Sequence, residues 1–178
     1  LLVACITALN LWAEEFTIGK LTFEIETPTT VGLIGADEDI RNVFLSETIE
    51  YEGNSYTLTS IGGLVFVGCK SLTSVTIPNS VTRIGQFAFY RCSSLKSIYH
   101  QATTPPILWN SCGFISSKSD LKIYVPKSEG STVLEAYKFG IAEGYSDEYS
   151  ATSWEYYDGI IEEYDFNNEY HIIQLQQQ

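Results

Sequence analysis

Four cysteines, two histidines and 22 acidic side chains are the residues of this 178-residue chain from which chemistry could be built. The cysteines are Cys5, Cys69, Cys92 and Cys112, and no two form a C-x-x-C pair, so neither a zinc knuckle nor a dithiol redox centre has support. His100 and His171 lie far apart and without metal-ligand spacing. No G-x-S-x-G elbow that would present a nucleophilic serine occurs, and no G-x-G-x-x-G or Walker loop that would cradle phosphates. Asp37-Glu38-Asp39 resembles the start of a cation loop, but Arg41 takes the third ligand slot, so a solvated turn is the expectation. Glu143, Asp147, Glu148, Glu155 and Asp158 read the same way, as a solvated acidic loop. The expectation is no catalytic residue, no metal and no cofactor.

The formal net charge of −12 is unevenly spread. Residues 1–52 carry 10 acids and 2 bases, residues 53–128 carry 1 acid and 7 bases, and residues 129–178 carry 11 acids and 1 base. The flanks are acidic and the middle is basic. The overall balance argues against nucleic acid as the main partner, because that binding runs on Lys and Arg neutralising phosphates. An acidic protein or glycan remains compatible with the middle. Leu1 to Ala13 contains no charge and is too short to span a bilayer, which takes about 20 residues. It reads as the apolar stretch of a secretory signal, with cleavage expected after Ala13. Leu2-Val3-Ala4-Cys5 offers an alternative, a lipoprotein box that would leave Cys5 lipidated. Either way export to the outside or to the cell surface is expected, with no transmembrane segment in the mature chain.

The elements that must position these residues come from an internal repeat. Ile61 recurs as Ile84, Phe66 as Phe89, Cys69 as Cys92, Leu72 as Leu95 and Val75 as Ile98, all at an interval of 23. A looser copy of Val75-Thr76-Ile77-Pro78 follows at Ile123-Tyr124-Val125-Pro126, two positions later than two whole repeats would place it. A unit this short cannot bury its apolar set alone, so coils must stack. Leu72, Val75 and Ile77 read as a short inward-facing strand, Pro78-Asn79-Ser80 as a turn, and Val81 to Ile84 as a second strand. Gly85 is expected to allow a backbone bend, with Phe89 and Cys92 closing the corner. Stacking would place Cys69 about 4.8 Å from Cys92. That spacing suits a disulfide, but a ladder of buried thiols is the expectation.

Leu72 to Cys92 reads LTSVTIPNSVTRIGQFAFYRC. It resembles the BspA-type leucine-rich repeats of bacterial surface and secreted proteins, whose pattern is close to L-x-x-V-x-I-P-x-S-V-T-x-I-G-x-x-A-F-x-x-C. Tyr51-Glu-Gly-Asn-Ser-Tyr-Thr-Leu-Thr-Ser-Ile61-Gly62 is similar to the family's lead-in, and Ala102-Thr-Thr-Pro-Pro106 and Leu121 to Pro126 to the terminal units of Bacteroides-type members. Glu135-Ala-Tyr-Lys138, Trp154 and Ile161 to Phe166 are similar to the C-terminal cap that follows. The resemblance implies a mainly β leucine-rich-repeat solenoid of parallel strands in coils of about 23 residues. It also implies a β-rich N-terminal cap at 14–55, a repeat body at 56–128, a C-terminal cap with one short helix at 129–166 and a tail at 167–178. The helix is expected over Ser131 to Phe139, with Ser131 as its N-cap and Val133, Leu134, Ala136 and Tyr137 packing. Two departures stand out: residues 139–153 form an acidic insertion, and His100 occupies the place of the inward Ile77. Either the coil is distorted at His100 or the imidazole finds a partner.

On each coil the residue between the two inward positions should point to solvent. Those residues are Thr76, Tyr99 and Tyr124, with Lys96 and Lys122 nearby in sequence. Aligned tyrosines with lysines would make a contact surface; they would equally stabilise the sheet as cross-strand pairs. The resemblance implies a non-catalytic protein that binds a protein or host-surface component, as in adhesion. The alternative is carbohydrate binding through Tyr99, Tyr124 and Trp109.

Overall fold

The computed structural model describes residues 13–108, 120–139 and 160–167. Expectations on Cys5, Trp109, Cys112, Trp154, His171, the acidic loop 140–158 and the tail beyond Asn167 lie outside the described residues, as do those on residues 1–12.

The chain folds into two β-sheets with one short helix among the described residues. Glu15–Ile18 (β1), Leu21–Thr27 (β2) and Thr30–Ala36 (β3) form an antiparallel meander. Asn42–Phe44 (β4) passes into the other sheet, and Thr48–Tyr51 (β5) returns to pair antiparallel with Asn54–Ile61 (β6). From β6 to β11 the chain alternates between sheets. Ser74–Ile77 (β7), Ser97–His100 (β9) and Lys122–Pro126 (β11) join β4 and Ile161–Tyr164 (β12) in a parallel five-stranded sheet, ordered β12-β11-β9-β7-β4. Arg83–Ile84 (β8) and Ile107–Leu108 (β10) extend the first sheet in parallel beyond β6. The five-stranded sheet therefore runs from β4 to β12, past both ends of residues 56–128.

The reason for the alternation is the side-chain pattern. A strand sends successive side chains to opposite faces, so Val75 and Ile77, Ile98 and His100, and Ile123 and Val125 all point between the sheets. The repeat positions Ile61, Phe66, Cys69, Leu72, Val75, Ile77, Val81, Ile84, Phe89, Cys92, Leu95 and Ile98 are at most 1% exposed. Phe66 stacks on Phe89 with ring centroids 5.1 Å apart. The register sets Ser74 opposite Ser97, one repeat interval on, and Ser97 opposite Lys122, an interval longer by two. In the other sheet Arg83 faces Ile107, an interval longer by one. One of the two added positions therefore falls between β9 and β10, and the other between β10 and β11.

Gly85 is required for a different reason from the expected bend. Its φ is not left-handed; a Cβ there would lie 2.3 Å from the Gly63 nitrogen and 2.5 Å from the Gly62 carbonyl carbon. The preceding coil occupies the space a side chain would need. The bends lie further on: Leu64 and Phe87 have φ of 62° and 55°, and Gly68 and Arg91 have φ of 72° and 61°, each pair one repeat apart.

The helix Thr132–Phe139 (α1) follows a 3₁₀ turn over Glu129–Ser131. Its capping group is not the expected Ser131, which sits in the turn with φ 56°. The Ser128 hydroxyl accepts from the Val133 amide at 3.0 Å instead. Val133 and Tyr137 are buried against the stack.

Candidate functional site

The outward face of the five-stranded sheet carries the residues singled out for contact. Cross-strand partners place Phe44, Thr76, Tyr99, Tyr124 and Glu162 along one line. Tyr99 and Tyr124 stack with ring centroids 4.9 Å apart and planes 16° from parallel. Tyr164 packs its edge on Tyr99 at 5.1 Å and tilts against Tyr124 at 5.5 Å. Phe166 closes the group with an edge contact to Tyr164 at 4.9 Å. All four rings are partly exposed. Burial in this cluster, and after it the neighbouring tyrosines, raises the phenol pKa of Tyr124 and of Tyr164. Tyr124 and Tyr164 thus present neutral hydroxyls on an apolar base.

Thr76 corrects the expectation of an exposed ladder. It is on the outward side of β7 but only 2% exposed. The larger Phe44 and Tyr99 flank it on either side, so a threonine between them is covered. Phe44 itself is 38% exposed and takes its place at the surface. The two lysines do not share a rung. Lys122 opposes Ser97, while Lys96 is exposed one residue before β9. Lys122 donates to the Glu162 carboxylate, and this bond holds the ammonium pKa above its usual value. Lys122 is therefore one half of an ion pair on the rim of the aromatic cluster.

The sequence did not single out Tyr164 and Phe166 as members of the surface. Tyr164 follows the alternation of β12, whose Ile161 points inward and whose Glu162 and Tyr164 point outward. The register of β12 on β11 sets Ile161 opposite Ile123, a separation that follows no multiple of the repeat. The alternation was the only signal available.

The inward histidine finds a partner, and β9 keeps its register on β7 through His100. His100 pairs in register with Ile77 and is fully buried. Its Nδ1 bonds the hydroxyl of Tyr137 on α1. That hydroxyl donates to the Ala102 carbonyl at 3.0 Å, so it accepts from Nδ1–H, which fixes the tautomer by the network. Burial lowers the imidazole pKa to about 3. The ring is neutral and ties α1 to the stack.

Cys69 and Cys92 are both buried thiols. The Cys92 thiol donates to the Phe66 carbonyl at 3.0 Å, and the Cys69 thiol to the Asp37 carbonyl at 3.7 Å. Burial first, and Cys69 second, push the Cys92 thiol up to about 12. Neither is a poised nucleophile. Asp39 of the acidic turn is bound to Lys20 at 2.6 Å, which lowers its carboxyl pKa. Among the described residues no three metal-ligating side chains converge.

One further polar spot spans three strands. The Glu26 carboxylate accepts from Ser60 Oγ at 2.6 Å and Thr59 Oγ1 at 3.0 Å and faces Arg83 at 3.4 Å. These bonds fasten β2 to β6 and β8 across the first sheet.

Comparison with known proteins identifies the repeat. A family model described as a BspA type leucine rich repeat region, in six copies, matches residues 40–128. Among curated proteins none matches. Solved structures similar to the chain include three leucine-rich-repeat proteins. A leucine-rich repeat protein from Bacteroides ovatus is 29% identical at a TM-score of 0.52, over 62% of this chain and 31% of that one. One from Bacteroides capillosus is 27% identical at a TM-score of 0.50, over 64% of this chain and 83% of that one. A leucine rich cell surface protein from Faecalibacterium prausnitzii is 25% identical at a TM-score of 0.45, over 71% of this chain and 28% of that one. This chain thus spans most of one of these relatives and under a third of the other two.

Proposed function

Since the chain belongs to the BspA-type leucine-rich-repeat family, we propose that it is an exported, non-catalytic interaction module whose outward aromatic face contacts a protein on another cell or surface. The observation that carries this reading is the cluster of Tyr99, Tyr124, Tyr164 and Phe166, held by ring contacts on a rigid parallel sheet. Aromatic rings fixed by packing offer contact area at little entropic cost, and tyrosine adds a polar tip for hydrogen bonds. The Lys122–Glu162 pair supplies a polar rim. Export rests on the uncharged stretch Leu1 to Ala13.

The reading treats the coils as units of about 23 residues, with residues 14–55 and 129–166 as caps. In support, the antiparallel meander β1–β3 lies at one end of the first sheet, and α1 packs Tyr137 on the last coils. A carbohydrate partner is less favoured by geometry. Tyr99 and Tyr124 stack face to face, so each covers a face that a sugar ring would use.

The test is capture of host matrix proteins by the mature chain, with a glycan array run in parallel. The double change Tyr99→Ala, Tyr124→Ala should abolish a detected protein contact. If the contact survives that change in a folded protein, the surface assignment is wrong.

A further inference from the structure

The coil corners carry a second apolar surface, away from the aromatic sheet face. Leu64 is 53% and Val67 39% exposed, the two most exposed large apolar side chains of the repeat body among the described residues. One repeat later the same places hold Phe87 and Tyr90, both partly exposed, with rings 5.5 Å apart. The two corner segments are locked side by side. The Leu64 amide donates to the Gln86 carbonyl at 3.0 Å, Phe66 to Ala88 at 2.8 Å and Gly68 to Tyr90 at 2.9 Å. The Arg91 guanidinium lies over the Tyr90 ring at 5.1 Å. Leu64, Phe87 and Arg91 all adopt left-handed φ, a conformation that disfavours such side chains.

A contiguous exposed apolar patch with a charged border marks a contact site in a folded protein. Here the border is basic. Lys70 and Arg91 are exposed, and among the described residues neither makes an ion pair. Residues 53–128 carry 7 bases against 1 acid. Among the described residues, acids flank the preceding corner, where Glu38 is exposed near Cys69. An acidic segment would be drawn to the Arg91 end and repelled from the Glu38 end, which gives the site a direction.

We propose that the corner made by Leu64, Val67, Phe87, Tyr90 and Arg91 docks an acidic polypeptide segment of another protein that brings its own large apolar side chains. The apolar groups would cover Leu64 and Phe87, and the carboxylates would reach Lys70 and Arg91. The site is independent of the aromatic sheet face.

The test uses the full chain and a labelled peptide of repeated Glu-Leu-Asp-Tyr, with repeated Lys-Leu-Lys-Tyr as control, read by fluorescence anisotropy. The acidic peptide should bind, and more weakly as salt rises. The pair Leu64→Asn, Phe87→Asn should reduce affinity at least about tenfold, because asparagine tolerates left-handed φ while removing the apolar surface. Arg91→Gly provides a variant secure in fold, since Gly68 holds the equivalent place, and should cost a similar factor. Tyr99→Ser with Tyr124→Ser should leave binding unchanged, which separates this site from the proposed sheet-face contact. Equal binding of the basic peptide, or no loss in the corner variants, overturns the proposal. Dimerisation of the wild-type chain in sedimentation, lost in Leu64→Asn, Phe87→Asn with no peptide binding, reassigns the corner to a second copy and overturns it too. So does binding to phosphatidylglycerol vesicles that Arg91→Gly removes when the peptide does not bind.

Discussion

His100 gives the sharpest test of how the stack is closed. In the folded chain the imidazole is fully buried, bonds Tyr137 and holds a pKa of about 3; unfolded, it returns to its ordinary value near 6.5. The folded value is the lower one, so below pH about 6.5 the unfolded chain binds a proton that the folded chain refuses. Stability is full above that pH and falls as pH drops toward 3. The slope is about 1.4 kcal/mol per pH unit for one such group. Between pH about 6.5 and 5, His100 alone should therefore remove about 2 kcal/mol. His100→Ile restores the residue type of Ile77 on the neighbouring strand and cannot titrate. Tyr137 keeps its Ala102 acceptor in that variant, so any packing change shifts stability equally at both pH values. Urea unfolding of both proteins at the two pH values, monitored by circular dichroism, gives the difference directly. Carboxylates shared by the two proteins cancel. The wild type should lose about 2 kcal/mol more than His100→Ile on acidification. An equal loss in both proteins would refute the claim that this imidazole is held neutral inside the stack.

Gly85→Ala should destabilise by more than about 3 kcal/mol, or prevent folding, because its Cβ would enter the backbone of Gly62 and Gly63; alanine at Gly53, where φ alone is unfavourable and space is open, should cost only about 1–2 kcal/mol in the same thermal or urea melts. Ser128→Ala removes the acceptor at the start of α1 and should cost about 1 kcal/mol. Iodoacetamide at mildly alkaline pH, followed by peptide mapping, should leave Cys69 and Cys92 unmodified in the folded chain, since both thiols are buried and shifted up; rapid labelling of Cys92 would show that the corner opens.

What the residues determined by themselves was the repeated unit. A constant interval linking isoleucine, phenylalanine, cysteine and leucine positions can be satisfied only by stacking like coils on like. The twelve repeat positions are accordingly buried in the structure. The outward tyrosines Tyr99 and Tyr124 also follow from strand alternation alone.

What the tertiary structure decided lies wherever a neighbour without the period sets the environment. Thr76 alternates outward as expected, yet Phe44 and Tyr99 cover it, and Phe44 reaches that rung from β4, outside the repeat interval. Tyr164 and Phe166 join the surface because β12 adds to β11 across a long, non-repeating stretch of chain. Ser128 rather than Ser131 caps α1, because the intervening 3₁₀ turn puts Ser131 in a left-handed conformation. Gly85 is fixed by the adjacent coil's backbone and not by its own dihedral. His100 is accommodated by Tyr137, a residue on a helix that no repeat predicts. In each case alternation and period assign a side chain its direction, whereas its exposure, its protonation and its partner depend on groups distant in sequence that only the folded chain brings within reach.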